Sequence, residues 1–128
     1  MDHAPRFLAL VDRARQRIAE TDADAVHARL AEAGGRPDGF VLVDVREPAE
    51  YDAGHLPGAR PMPRGVLERD VEGAVPDLDT PVVLYCGGGY RSALAAASLG
   101  EMGYTAVESM DGGWRAWTAA EFPTEGGE

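Results

Sequence analysis

Two short stretches constrain this chain more than anything else in it. Phe40-Val41-Leu42-Val43-Asp44-Val45 and Val82-Val83-Leu84-Tyr85 are nearly unbroken apolar runs rich in β-branched residues. A strand covered on one face alternates apolar and polar residues, whereas runs this uniform suit strands buried on both faces. Both are expected to be central strands of a parallel sheet, whose neighbours must be joined by crossovers, usually helices. Helical patterns surround them. Phe7, Leu8, Val11, Ala14 and Ile18 recur at helical spacing, and so do Val26, Leu30 and Ala33, in a helix that a side chain near Thr21-Asp22 can cap and that stops at Gly34-Gly35. Arg91 to Leu99 is a run of strong helix formers that ends near Gly103. Ile18 to Glu20 fits a short edge strand, Ala106 to Met110 a further strand, and Gly113 to Ala120 a last helix with Trp114 and Trp117 on one face as core and pocket wall. The Gly- and Pro-punctuated stretch from Gly54 to Pro63 is expected to be mostly irregular, with a short helical turn from Gly65 to Asp70 after it. Strands alternating with helices define an α/β domain with a mostly parallel sheet.

At 128 residues the chain has the size of one domain, and its 45% hydrophobic content supports a packed core. Twelve Lys and Arg against 22 Asp and Glu give 12 − 22 = −10, a field that repels nucleic acid. The same field disfavours small anions, so a site that binds one needs local cations and amide donors. Met1 to Ile18 mixes apolar residues with charges at Arg6, Asp12, Arg13, Arg15 and Arg17 and lacks the unbroken apolar stretch of a leader or membrane span, so a cytoplasmic location is expected. The single cysteine, Cys86, excludes an intrachain disulfide and any zinc site with two Cys ligands. His3 and His27 show no ligand spacing, and no metal or cofactor is implied.

The chemistry concentrates in Tyr85-Cys86-Gly87-Gly88-Gly89-Tyr90-Arg91-Ser92, where a cysteine ends a buried strand and a glycine loop leads into a helix. Glycines admit positive φ, so successive N–H groups can turn inward and form a nest for an anion. The helix that follows adds its unpaired first amides and its dipole. A sulfur at the centre of such a ring is expected to be held as thiolate and to act as a nucleophile near neutral pH. Arg91 adds a fixed positive charge. A lone cysteine in an apolar strand is more often an inert core residue, but consecutive glycines weaken a loop that has no use for them.

Cys86-x4-Arg91-Ser92, preceded by Asp44-Val45-Arg46-Glu47-Pro48-Ala49-Glu50-Tyr51 and by Gly54-His55-Leu56-Pro57-Gly58-Ala59, and followed by Gly112-Gly113-Trp114, resembles the rhodanese-homology domain from about Ile18 to Pro123. The resemblance implies a three-layer α/β domain: a mostly parallel five-stranded sheet with helices on both faces. It divides the chain into an N-terminal helical extension (1–17), the domain itself (18–123) and a flexible tail (124–128). It further implies that Cys86 is catalytic and moves sulfane sulfur through a persulfide held by the amides of Gly87, Gly88, Gly89, Tyr90, Arg91 and Ser92. The donor is expected to be thiosulfate, another small sulfur-containing anion or a persulfide, and the acceptor an external thiol, a protein or cyanide, since no second cysteine is present. Phosphatases and arsenate reductases of the same fold carry one more residue between cysteine and arginine, so the four found here match the sulfur-handling branch. A persulfide carrier or interaction module with little thiosulfate turnover is the alternative.

Some thiosulfate-using relatives place cations just after the cysteine, where this chain has Gly87 and Gly88, and some tandem-domain members carry an arginine where Glu50 stands. Arg64 is therefore a candidate to supply the missing charge from the neighbouring loop. Asp44 and Arg46 share strand parity and can project together toward the cysteine loop, as a substrate-orienting pair or a structural tie, of which the tie is favoured because buried charges need partners in any case. His55 is expected to make a structural hydrogen bond. Tyr90 is expected either to line the pocket mouth or to pack outward.

Overall fold

The two apolar runs form the middle of the sheet. The computed structural model describes residues 3–127, in the order α1 (Pro5–Arg15), β1 (Ala19–Asp22), α2 (Ala23–Glu32), β2 (Val41–Asp44), α3 (Pro48–Ala53), β3 (Arg60–Pro61), a 3₁₀ turn (Arg64–Val66), α4 (Leu67–Ala74), β4 (Val82–Tyr85), α5 (Tyr90–Glu101), β5 (Val107–Asp111) and α6 (Gly113–Ala119). Among the described residues the sheet has five strands in the order β1-β5-β4-β2-β3, with every pairing parallel. Val41 pairs with Val82 and Asp44 with Tyr85, so β2 and β4 end at the same level. The loops that follow them, with Arg46 on one and Cys86 on the other, therefore emerge side by side at the carboxyl end of the sheet, where open α/β folds bind ligands.

Alternation along the central strands feeds two cores. Val43, Val45, Val82, Leu84 and Cys86 pack with Leu67 and Val71 of α4 and with Ala95, Ala96 and Leu99 of α5. Leu42, Val83 and Tyr85 pack on the other face with Val26 and Leu30 of α2 and Trp117 of α6. Each fully buried Val, Leu or Ile side chain of this kind contributes about 1.5–3 kcal/mol over its exposed state. The expected α/β class and three-layer arrangement are therefore present.

Local differences from the sequence reading have physical causes. The segment expected to be irregular contains the two-residue edge strand β3, paired to Val43 and Asp44, and ahead of it the Pro48–Ala53 stretch is a helix, with Pro at its first turn and the Glu47 amide donating to the Glu50 side chain at 3.0 Å. The short turn expected from Gly65 continues as α4 to Ala74. The break at Thr21-Asp22 completes β1, and Asp22 caps α2 by accepting the Ala25 amide at 2.8 Å.

The described residues near both ends make contacts with the domain. α1, expected as an extension, buries Val11 and Ala14 and packs along α5. Within the segment expected to be a flexible tail, Glu125 contacts the domain: it exchanges backbone hydrogen bonds of 2.9 and 2.8 Å with His55, its carboxylate accepts from the Gly58 amide, and that carboxylate also pairs with Arg36. Met1, Asp2 and Glu128, included in those two expected segments, lie outside the described residues.

Candidate active site

Cys86 follows β4 and is only 1% exposed, directly beneath the loop that opens α5. The Gly89 amide donates to Sγ at 3.1 Å and the Ser92 amide at 3.4 Å. Behind the sulfur, Sγ lies 3.6 Å from the Ser92 hydroxyl, which shares a 2.8 Å hydrogen bond with the Ser109 hydroxyl on β5. Both serines are fully buried, so this hydroxyl chain is a designed polar path in an apolar layer. The first amides of α5 have no intrahelical acceptor and add positive potential on the same side.

The three glycines serve different ends. Only Gly89 has positive φ, +98°, and a side chain there would also meet the Gly112 amide at 3.1 Å. Gly87 and Gly88 have ordinary φ, contrary to the expectation that all three serve the backbone. What they leave is space: a Cβ on Gly87 would lie 3.3 Å from the Arg91 guanidinium and one on Gly88 3.4 Å from that of Arg115. The loop is gripped from outside by α6, whose Trp114 and Arg115 amides donate to the carbonyls of Cys86 (2.8 Å) and Gly87 (3.0 Å). In planar trans peptides the N–H groups of Gly87 and Gly88 then point away from α6. The grip needs Gly113, because a Cβ there would fall 2.3 Å from the Cys86 carbonyl. Gly112-Gly113 is thus part of the site's construction.

A cavity of about 310 Å³ opens on the loop, lined by Cys86, Gly87, Gly88, Tyr90 and Arg91, and also by Arg115, Phe7 and His3. Tyr90 therefore lines the mouth. Arg91 is not a lone cation: it makes a two-point pair with Glu50, at 3.1 and 3.4 Å, each side chain roughly 40% exposed. The hydrogen bond from Arg91 holds the Glu50 carboxyl below its ordinary value against the opposing effect of burial. Burial pulls Arg91 down, but Glu50 and the nearby Cys86 outweigh it and keep the guanidinium charged.

The supporting residues separate. Asp44 and Arg46 are brought together, but away from the cavity: Arg46 Nε and Nη2 donate to the Asp44 carboxylate at 2.8–3.2 Å and Nη2 reaches the Gly54 carbonyl at 2.6 Å. The guanidinium is packed 4.6 Å from the Trp114 ring centre. This is the structural tie. Nearby, burial first and then the Asp44 charge push the Tyr85 phenol far up, so it remains protonated while accepting the Leu56 amide. Arg64 does not serve Cys86: it pairs with Glu68 at 2.6 Å and donates to Ser98 at 3.2 Å, alongside a different cavity. The 3₁₀ turn carries it down the outer side of α5. Trp117 is core and Trp114 packs on Arg46, and neither lines the Cys86 cavity. His55 plays its structural part, with Nδ1 2.9 Å from the Tyr51 carbonyl oxygen.

The fold and site define a class: a parallel-sheet α/β domain with a buried cysteine, cradled by amides, at the carboxyl end of the sheet and an arginine in the first turn of the helix that follows. The model of the rhodanese-like domain matches residues 22–120, and the chain belongs to that family. A thiosulfate sulfurtransferase GlpE of Pseudomonas fluorescens is 42% identical over 90 residues, which span 70% of this chain and 80% of that protein. A Rhodopseudomonas palustris protein of unknown function, called a possible tyrosine phosphatase, superposes with TM-score 0.83 at 32% identity over 98% of this chain and 99% of that one. The polysulfide-sulfur transferase homodimer of Wolinella succinogenes gives 0.76 at 28% identity, covering 94% and 88%.

Proposed function

We propose that the protein is a rhodanese-type sulfurtransferase that carries sulfane sulfur as a persulfide on Cys86. The observation that carries the proposal is the convergence of the Gly89 and Ser92 amides on the sulfur of the chain's sole cysteine, at the floor of an open cavity. The names of the Pseudomonas and Wolinella relatives support it.

In the first half-reaction the Cys86 thiolate attacks the outer sulfur of the donor. With thiosulfate the S–S bond breaks, its electron pair leaves with sulfite, and Cys86 becomes a persulfide anion, so total charge is conserved. In the second, a nucleophile such as cyanide or a thiolate takes the terminal sulfur and returns the Cys86 thiolate. The amides and Arg91 stabilise negative charge that never leaves the loop. Ser92 adapts to both states, accepting from the thiol and turning its hydroxyl toward the thiolate while Ser109 satisfies its oxygen. The acceptor must come from outside the chain, because no second cysteine can resolve the persulfide.

Thiosulfate:cyanide turnover tests the proposal. Wild-type protein is expected to form thiocyanate and Cys86→Ser none; retained turnover in the variant refutes the mechanism. An aryl phosphate run in parallel is expected to stay intact, because the four-residue loop makes a ring narrower than a tetrahedral phosphoryl group needs.

A further inference from the structure

The cavity over Cys86 has an aromatic wall that sulfur transfer from thiosulfate does not call for, and a second arginine beside it. Phe7 lies on α1 and His3 just before it, outside the segment matched by the family model. Together with Tyr90 they form an aromatic cluster, with ring centres 4.4 Å apart for His3–Tyr90, 5.3 Å for His3–Phe7 and 6.1 Å for Phe7–Tyr90. The Arg15 guanidinium packs 5.3 Å from the Tyr90 ring centre and braces it from the same helix. The same cavity is lined by Arg115, which has no carboxylate within ion-pair distance among the described residues, whereas Arg91 is already engaged by Glu50. Space for the Arg115 guanidinium comes from the missing side chain of Gly88.

Size points the same way. A volume of about 310 Å³ falls in the range of roughly 300–1,000 Å³ typical of organic-ligand sites. Thiosulfate is a compact dianion that leaves most of that space, and the whole aromatic wall, without a partner. An aromatic cluster and an uncommitted arginine lining one cavity fit a ligand with an apolar body and an anionic end.

We propose that this cavity selects an anionic sulfane donor that carries an organic body, with Arg115 binding the anionic group and the Phe7, His3 and Tyr90 rings packing on the body. This rests on the sulfurtransferase reading of Cys86. Thiosulfonates supply the probe. Cys86 thiolate attacks the outer sulfur of R–SO2–S⁻, the S–S bond breaks, and its electron pair departs with the sulfinate R–SO2⁻, leaving the Cys86 persulfide anion. Thiosulfate, methanethiosulfonate and benzenethiosulfonate then form a series with the same transferred sulfur and a growing body.

The experiment measures kcat and KM for the three donors, and calorimetric binding of benzenethiosulfonate to Cys86→Ser. We expect the highest kcat/KM with benzenethiosulfonate. Phe7→Ala is expected to lower its kcat/KM about tenfold relative to that of methanethiosulfonate, the loss of one aromatic contact. Arg115→Gln is expected to raise KM about tenfold for the thiosulfonates, the loss of a charge-assisted contact, with kcat changed far less; Arg115→Lys is expected to recover part of it. No preference for the aryl donor in wild type, or an unchanged donor ratio in Phe7→Ala together with an unchanged KM in Arg115→Gln, overturns the proposal. Failure of the underlying reading looks different: benzenethiosulfonate binds Cys86→Ser, yet no donor transfers sulfur to the wild-type protein. Absence of binding to Cys86→Ser overturns the pocket proposal even where thiosulfate turns over.

Discussion

Two arginine–carboxylate pairs stand at the carboxyl end of the sheet, and they differ in almost everything but chemistry. Asp44 and Arg46 are two residues apart, 0% and 3% exposed, joined through three side-chain contacts of 2.8–3.2 Å and further tied to the Arg46 amide and the Gly54 carbonyl. Glu50 and Arg91 come from separate helices, α3 and α5, meet at 3.1 and 3.4 Å, and stand partly open to solvent beside the cavity. A sealed pair cannot lose one member without stranding a charge, so it fixes the frame. An open pair can be rearranged by water or by an incoming anion, so it is suited to a working site. The contrast makes Arg46 part of the architecture and leaves Arg91 free for the chemistry proposed at Cys86, although sequence spacing brings both toward the same edge.

Breaking the sealed pair has the largest expected effect. Arg46→Ala is expected to cost roughly 3–5 kcal/mol of stability by leaving Asp44 buried without its partner, read as a lower urea midpoint with an unchanged slope. An unaltered midpoint contradicts the assignment. Arg91→Ala reverses the pattern: stability is expected to change by about 1 kcal/mol or less, while sulfur-transfer kcat/KM falls about a hundredfold, the usual order for one lost anion-stabilising group. Urea titration and initial rates on the same preparation separate the two losses.

Glu50 sharpens the comparison through pH. Its carboxyl is depressed in the folded protein by the Arg91 hydrogen bond, so its contribution to stability is complete above the ordinary carboxylate range and lost as pH falls through the lower folded value. Wild type is expected to exceed Glu50→Gln in urea midpoint by a small margin at neutral pH and to converge with it in acid. A margin that is constant with pH contradicts the coupling. Smallest of all is Arg64→Ala, which removes a helix-surface pair with Glu68 worth about 0.3–0.5 kcal/mol and is expected to leave the KM for thiosulfate unchanged, because Arg64 lies along the outer side of α5.

The sequence made the central strands legible because burial on both faces removes polar residues from them, and it made the cysteine loop legible because its parts are contiguous. Helix α3 and strand β3 were hidden for a different reason. One is six residues and the other two, so neither is long enough to display a period, and what holds them is a cap and a register contact with β2. The cavity walls were hidden more deeply. Phe7 and Arg115 reach Cys86 only because α1 docks on α5 and α6 docks on the loop, and such placement leaves no local signal in the chain. The one clue was Gly112-Gly113 just ahead of Arg115, a pair that permits the close approach of α6. Arg64 misled for the converse reason: nearness in sequence to a neighbouring loop says nothing about which side of a helix an arginine descends. The uniform reading of Gly87 to Gly89 failed in the same way, since a glycine kept for φ and one kept for a neighbour's guanidinium look alike until the neighbour is in place.

The proposed persulfide is open to direct observation by intact mass spectrometry after incubation with thiosulfate and removal of excess donor. Wild-type protein is predicted to gain the mass of one sulfur atom on Cys86, to lose it when cyanide is added, and Cys86→Ser to gain nothing. A wild-type mass that stays unchanged under donor, or a sulfur adduct that also forms on Cys86→Ser, contradicts the account.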